Sequence, residues 1–267
     1  MEKIASLIGK KDSIVNVFLL ANIFIWYSIA FKTITNSLQL INASCSDTLL
    51  IMGVNAGAIT VSLLIGSFIG SNFKKRINFI YIWIITGIPI SLLPICLGSP
   101  TLWSTIFAAL LFGCYFGIGL PNALNHFSFL TNTKNRGKNS GFTYLLIGVF
   151  SVLCVFLIPT LAIGFVVLAF VRLIALFFFF PLRKNLKITN EQVEVTYRSI
   201  LSNKSFFMYF IPWLIFSLVN YMTIPIVESN FSGVEYENFI RIAPVLEAII
   251  IALVAVVSGF FADTIGR

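Results

Sequence analysis

Ionisable side chains inside long apolar stretches are the residues of this sequence most able to do chemistry. Arg172 lies well inside one such stretch, Glu247 lies near the middle of another, and Lys32 lies towards the end of a third. A charge in such a place is costly, and it usually faces a cavity or an opposite charge. Arg172 and Glu247 could carry a function or form a structural ion pair. Lys32 could instead extend its long side chain to the nearest polar surface.

Polar uncharged residues form a second group of candidates. Asn22 and Trp26 are four positions apart, so they share one face of a helix. Asparagines also interrupt apolar stretches at Asn55, Asn125 and Asn220. An asparagine in such a place more often bonds a neighbouring helix than a ligand. With Lys32, Arg172 and Glu247, these residues are the predicted lining of a substrate pathway.

The sequence contains no pattern for a metal, a cofactor or ATP. Its single histidine, His126, could carry protons, but it is predicted to lie near the cytoplasmic surface, where a solvated imidazole needs no role. The four cysteines show no metal-ligand spacing, and both a Cys45–Cys96 disulfide and four free thiols are compatible with their positions. We therefore expect no metal site, no cofactor and no enzymatic activity.

The composition places these candidates in a membrane. Apolar residues make up 58% of the chain and charged residues only 10%, against about 45–50% and about 25% in soluble domains. The net charge of +8 is divided into short clusters between apolar runs rather than gathered on one surface. This pattern is typical of a membrane protein and excludes a nucleic-acid partner.

Eight apolar stretches are long enough to cross a bilayer, which takes about 20 residues of helix. These predicted spans cover 13–34, 48–69, 77–97, 102–123 with a possible extension to 130, 140–157, 160–180, 206–227 and 238–262. Cations cluster in every second loop, and the opposite loops carry almost none. The positive-inside rule then predicts a multi-pass protein of the cell membrane with both termini in the cytoplasm.

Two loops on the predicted cytoplasmic side are related in sequence. The segment GSFIGSNFK at 66–74 follows span two, and the segment GFFADTIGR at 259–267 follows span eight. These segments resemble the loop signature G-x-L-A-D-R-x-G-R-R of the major facilitator superfamily. The second copy matches at Gly259, Asp263, Gly266 and Arg267. The first copy keeps Gly66 and Lys74 but has Gly70 where the family has aspartate.

Other parts of the chain add weaker similarity to the same family. They are Arg136-Gly137 followed by Ser140-Gly141, Gly117-Ile118-Gly119, and the run 203–206 before span seven. The resemblance implies that Asp263 latches one half of the protein against the other by approaching the start of span five near Asn139 and Ser140. Tight turns that merely hold the loop charges would explain the same residues.

Small residues on span two indicate a close helix contact. Ala58, Ser62, Gly66 and Gly70 recur every four positions and therefore line one face. Such a face lets a neighbouring backbone approach closely. We expect it to pack directly against another span.

The resemblance also implies the fold and the function. The fold class is an all-α integral membrane protein: a six-helix bundle at 1–182, a cytoplasmic linker with a short amphipathic helix at 183–205, and the first two helices of a second bundle at 206–267. The family normally has twelve helices, so a truncated chain, or a partner chain supplying the remainder, is expected. The function implied is secondary active transport of a small solute by alternating access, driven by a solute, proton or sodium gradient. A non-transporting remnant or scaffold is the alternative.

Overall fold

The fold consists of long helices, as the apolar stretches predict. The computed structural model describes residues 11–72, 76–131, 135–158, 160–179, 202–204, 207–208, 211–212, 215 and 237–265, and no strand occurs among them. The helices are α1 (Lys11–Leu40), α2 (Cys45–Asn72), α3 (Arg76–Leu92), a 3-10 turn (Leu93–Leu97), α4 (Leu102–Leu130), α5 (Arg136–Leu157), α6 (Leu161–Phe179) and α7 (Glu237–Thr264).

Six of these helices are long and apolar enough to cross a membrane. They lie at Ile14–Leu40, Cys45–Ile69, Ile77–Leu97, Leu102–Leu130, Leu161–Phe179 and Val245–Thr264. These features are those of a multi-pass helical membrane protein. The fifth predicted span is also a helix, α5. The seventh predicted span and the linker helix lie almost wholly outside the described residues.

Local sequence explains the tight connection between α3 and α4. Gly98 has φ +75°, a conformation that glycine adopts without a steric penalty, and it ends the 3-10 turn. Thr101 then caps α4, because its side chain accepts a hydrogen bond from the Ser104 N–H and the Ser104 hydroxyl accepts one from the Thr101 N–H. This reciprocal pair satisfies amide groups that a helix start leaves free.

Helix α1 is the centre of the bundle. It packs against α4, α5 and α6, while α2 packs mainly on α4, and α3 packs on α4 and α6. The side chains of Ile23, Trp26 and Ala30 on α1 have no exposed surface. The first and last helices of this bundle, α1 and α6, are therefore direct neighbours.

The chain folds into two compact units. One unit contains Met1–Leu186 together with Ala248–Arg267, and the other contains Lys187–Glu247. The second half of α7 thus packs with the first six helices. The predicted boundaries at 182 and 205 fall in a stretch outside the described residues, so they stay predictions.

Candidate functional site

The side chain of Arg172 is completely buried in the first unit. Its guanidinium carbon lies 4.8 Å from the ring centre of Trp26, 4.6 Å from that of Trp83 and 5.1 Å from that of Tyr115. These three rings, on α1, α3 and α4, form an aromatic cage around a charge on α6. Ring faces attract cations, and the attraction grows when water is excluded. The cage therefore offsets part of the cost of burying the charge.

Asn22 is the polar partner of Arg172. The Arg172 Nη1 donates a hydrogen bond to Asn22 Oδ1 at 3.0 Å, and Asn22 Nδ2 donates one to the Val171 carbonyl at 2.8 Å. The Nε and Nη2 atoms of Arg172 are buried and have no hydrogen-bond partner among the described residues. The site thus contains a buried cation whose hydrogen-bonding capacity is only partly used.

Trp83 and Tyr115 stabilise the cage, because the side chain of each donates a hydrogen bond to a backbone carbonyl of the other's helix. The Trp83 indole N–H donates to the Tyr115 carbonyl at 2.8 Å, and the Tyr115 hydroxyl donates to the Trp83 carbonyl at 2.8 Å. A side chain added at Gly119 would overlap the Trp83 ring, and one added at Gly87 would overlap the Tyr115 hydroxyl. Each ring therefore fills the space beside the other helix's glycine.

Sequence reasoning missed Trp83 and Tyr115. A usable signal was present, because each of these rings is followed four residues later by a glycine, Gly87 and Gly119 respectively. An aromatic residue and a glycine on the same face, repeated on two consecutive helices, fit together when those helices pack side by side.

Asn55 bonds neighbouring helices, which is the commoner role of an asparagine in a membrane helix. Its Nδ2 donates to the Ala109 carbonyl at 2.8 Å, and its Oδ1 accepts from the Tyr27 hydroxyl at 2.7 Å. These bonds tie α1, α2 and α4 together in the buried part of the bundle. Asn55 therefore contributes to the packing of the helices.

Among the remaining pathway candidates, those that the structure describes in the first unit are not contacts of Arg172. Lys32 on α1 and Asn125 on α4 are exposed, and Asn220 lies outside the described residues. Glu247 is exposed on α7 and belongs to the second unit, so its pairing with Arg172 stays a prediction. Among the predicted residues that the structure describes in the first unit, Asn22, Trp26 and Arg172 meet in one place.

The expectation for His126 is wrong. Its side chain is only 3% exposed, and its ring packs edge-on against Phe179 of α6 at 6.3 Å between ring centres. The prediction took the end of the fourth span as a polar surface. Helix α4 has the longer of its two predicted lengths and ends at Leu130, so His126 lies one turn inside the helix, where its side chain is buried.

The predicted small-residue face of α2 packs directly on α4. Ala58, Ser62 and Gly66 are buried there, and a side chain added at Gly66 would overlap the backbone of Ile118. The Asn122 amide of α4 donates to the Gly66 carbonyl at 3.0 Å. The predicted close approach of a neighbouring backbone is confirmed for these three residues. Gly70, the fourth residue of the pattern, lies within helix α2. Lys74 lies outside the described residues.

Asp263 near the end of α7 lies at the first turn of α5. The Gly137 N–H donates to Asp263 Oδ1 at 2.9 Å, and the Lys138 N–H donates to Asp263 Oδ2 at 2.7 Å. The first amides of a helix have no partner within the helix, and together they carry a partial positive charge. One carboxylate therefore satisfies two of these amides across a helix–helix contact.

A row of small residues lets α5 and α7 approach closely beside this carboxylate. Side chains added at Gly137 and Gly259 would each overlap the other's backbone, and one at Gly141 would overlap the Ala255 carbonyl. Arg136, next to the contact, instead binds the end of α4 by donating to the Ser128 and Thr131 carbonyls. Gly266 and Arg267 lie outside the described residues.

The fold and these contacts define a class of protein, a multi-pass α-helical membrane protein. Comparisons with protein-family models, with curated proteins and with solved structures found no match to this chain.

Proposed function

We propose that this protein is a secondary active transporter of a small solute, built like a member of the major facilitator superfamily. The observation that supports this proposal most is the pair of hydrogen bonds from the first turn of α5 to the Asp263 carboxylate. Asp263 belongs to the better matching copy of the loop signature, and in that family the loop latches the two halves together on the cytoplasmic side.

The contact has the properties that a latch requires. A carboxylate at a helix start contributes up to about 2 kcal/mol when it is partly buried, which is enough to favour a closed state and small enough to be overcome. Asp263 is half-buried beside the small residues Gly137 and Gly259. The same contact contains the Phe142–Phe260 ring pair, with ring centres 6.2 Å apart. Latch release would then allow the two halves to rock about a central solute, coupled to a proton or sodium gradient.

Counterflow tests the proposal directly. The full-length protein would be reconstituted in vesicles preloaded with sugars, amino acids, carboxylates or nucleosides, and uptake of the matching radiolabelled solute would be measured. Accumulation of one solute class is expected. Failure of every class, with correctly folded protein, would favour the non-transporting scaffold instead.

The Asp263→Asn variant is expected to slow transport about tenfold, because a neutral amide loses roughly 1–2 kcal/mol at the start of α5. The measurement is the initial rate of counterflow for the solute found. Asp47→Asn is the matched control, because Asp47 also accepts a backbone hydrogen bond at a helix start, from Ser44, but makes that contact within its own helix. An equal effect of both variants would contradict a latch.

A further inference from the structure

An apolar groove opens on the outside of the first unit between α5 and α6, with α1 as its floor. Its volume is about 290 Å³, and its walls include Phe18, Phe150, Ile174 and Phe178. The rings of Phe18 and Phe178, which both line the groove, stack with their centres 5.8 Å apart. In a protein that lies within a bilayer, such a groove is open to amphiphilic molecules rather than to water.

One polar side chain, Asn22, lies among the residues that line the groove. Its Nδ2 uses one hydrogen to bind the Val171 carbonyl, and its Oδ1 accepts the hydrogen bond of Arg172. An amide nitrogen carries two hydrogens, so the second hydrogen of Asn22 Nδ2 has no partner among the described residues and is left for a ligand. Arg172 itself has no exposed surface and lies directly behind this point, because Val171 and Ala175 on either side of it also line the groove.

The positive charge of Arg172 behind the groove favours a ligand that carries a negative charge. Arg172 has no carboxylate among its contacts within the described residues, and two of its three guanidinium nitrogens lack a hydrogen-bond partner. A positive charge in a medium of low polarity acts over longer distances than it does in water. A negatively charged head group bound at Asn22 would be stabilised by this charge, and a positively charged one would be repelled.

We propose that this groove binds an amphiphile with an apolar chain and an anionic head group. The chain lies between α5 and α6, the head group accepts a hydrogen bond from Asn22 Nδ2, and Arg172 supplies the compensating charge. This proposal concerns binding to the groove only, so it does not depend on whether the protein transports a solute. A phospholipid whose acyl chain filled the groove, but whose head group lay away from Asn22, would bind without a preference for the charge of the head group.

Photolabelling of the full-length protein in nanodiscs tests the proposal. The probes are three diazirine-bearing alkyl chains of equal length that end in a sulfonate, an alcohol or a trimethylammonium group. The sulfonate is expected to label wall residues at about tenfold lower concentration than the alcohol, because both can accept the hydrogen bond of Asn22 but only the sulfonate is stabilised by the charge of Arg172. The trimethylammonium probe should label least. Equal labelling by the three probes would overturn the proposal, because it would show that the groove binds chains alone.

Two adjacent residues on α6 provide matched variants for the groove. Ile174 lines it and Leu173 does not, and both are exposed. Ile174→Trp should abolish labelling by the sulfonate probe, whereas Leu173→Trp should leave it unchanged. Loss in both variants or in neither would place the labelled site elsewhere and contradict the proposal.

The role of the charge is tested with Arg172→Met, which keeps an unbranched chain within the cage. The preference for the sulfonate over the alcohol should fall from about tenfold to none, while the alcohol labels as in the wild type. A preference that persists in this variant would overturn the assignment of Arg172. If the variant does not fold, Asn22→Leu tests the position of the head group instead: without this hydrogen bond both the sulfonate and the alcohol should label less than in the wild type, and unchanged labelling by both would contradict the proposal.

Discussion

Replacing Arg172 by alanine is expected to lower the free energy of unfolding by roughly 3–5 kcal/mol, the range seen when large buried side chains are truncated. The change empties the space between Trp26, Trp83 and Tyr115 and removes the cation that all three rings face. It also removes the donor that satisfies Asn22 Oδ1. The measurement is unfolding of the purified protein in mixed micelles as the fraction of denaturing detergent rises.

Arg172→Met separates the loss of volume from the loss of charge. Methionine fills irregular space against aromatic rings, so this variant should lose only about 1–2 kcal/mol, the effect of leaving Asn22 Oδ1 without its donor. An Arg172→Ala variant as stable as the wild type would show that the cage does not hold the helices together.

Replacing Gly66 by leucine is expected to force α2 away from α4 and to lower the free energy of unfolding by about 3 kcal/mol. A side chain at this position would overlap backbone atoms of Ile118, which cannot move independently of α4. The hydrogen bond from Asn122 to the Gly66 carbonyl would be lost as well. The same micelle titration measures this loss.

Gly57→Leu is the matched control on the same helix. Gly57 is exposed, and no atom lies within 4 Å of a side chain added there. Its free energy of unfolding should stay within about 0.5 kcal/mol of the wild type. A similar loss in both variants would show that the small-residue face of α2 is not a specific contact with α4.

The positions of most helices could be predicted from the sequence, because the apolar length needed to cross a bilayer is a local property. The fourth predicted span included the option of an end at Leu130, where α4 does end. The small face formed by Ala58, Ser62 and Gly66 was predictable for the same reason, since residues four apart share a helix face.

The glycines that follow Trp83 and Tyr115 were a signal for the packing of these two rings, but their meeting with Arg172 could not be predicted, because the members of the cage are far apart in sequence. The Arg172–Asn22 bond joins residues 150 positions apart, and the rings of Trp83 and Tyr115 come from two further helices. Periodicity within a helix does not specify which helices are neighbours. A search for a partner of opposite charge pointed to Glu247, whereas the contacts found for Arg172 are aromatic rings and one neutral amide.

The approach of Asp263 to the start of α5 followed from the loop signature rather than from local physics. A carboxylate near the end of a helix can bind amides in several places, and only the family resemblance indicated span five. The contact lies at Gly137 and Lys138, within two residues of Asn139, where the resemblance placed it. The latch function of this contact remains a prediction.

The distance between α5 and α7 at this contact tests the central claim of transport by alternating access most directly. Spin labels at Tyr144→Cys and Ile265→Cys, both exposed positions, would report it by pulsed electron resonance in a background without native cysteines. The proposal predicts two distance populations in the wild type and an increase of the longer one in Asp263→Asn. A single distance, unchanged by this substitution, would contradict a latch that opens and closes.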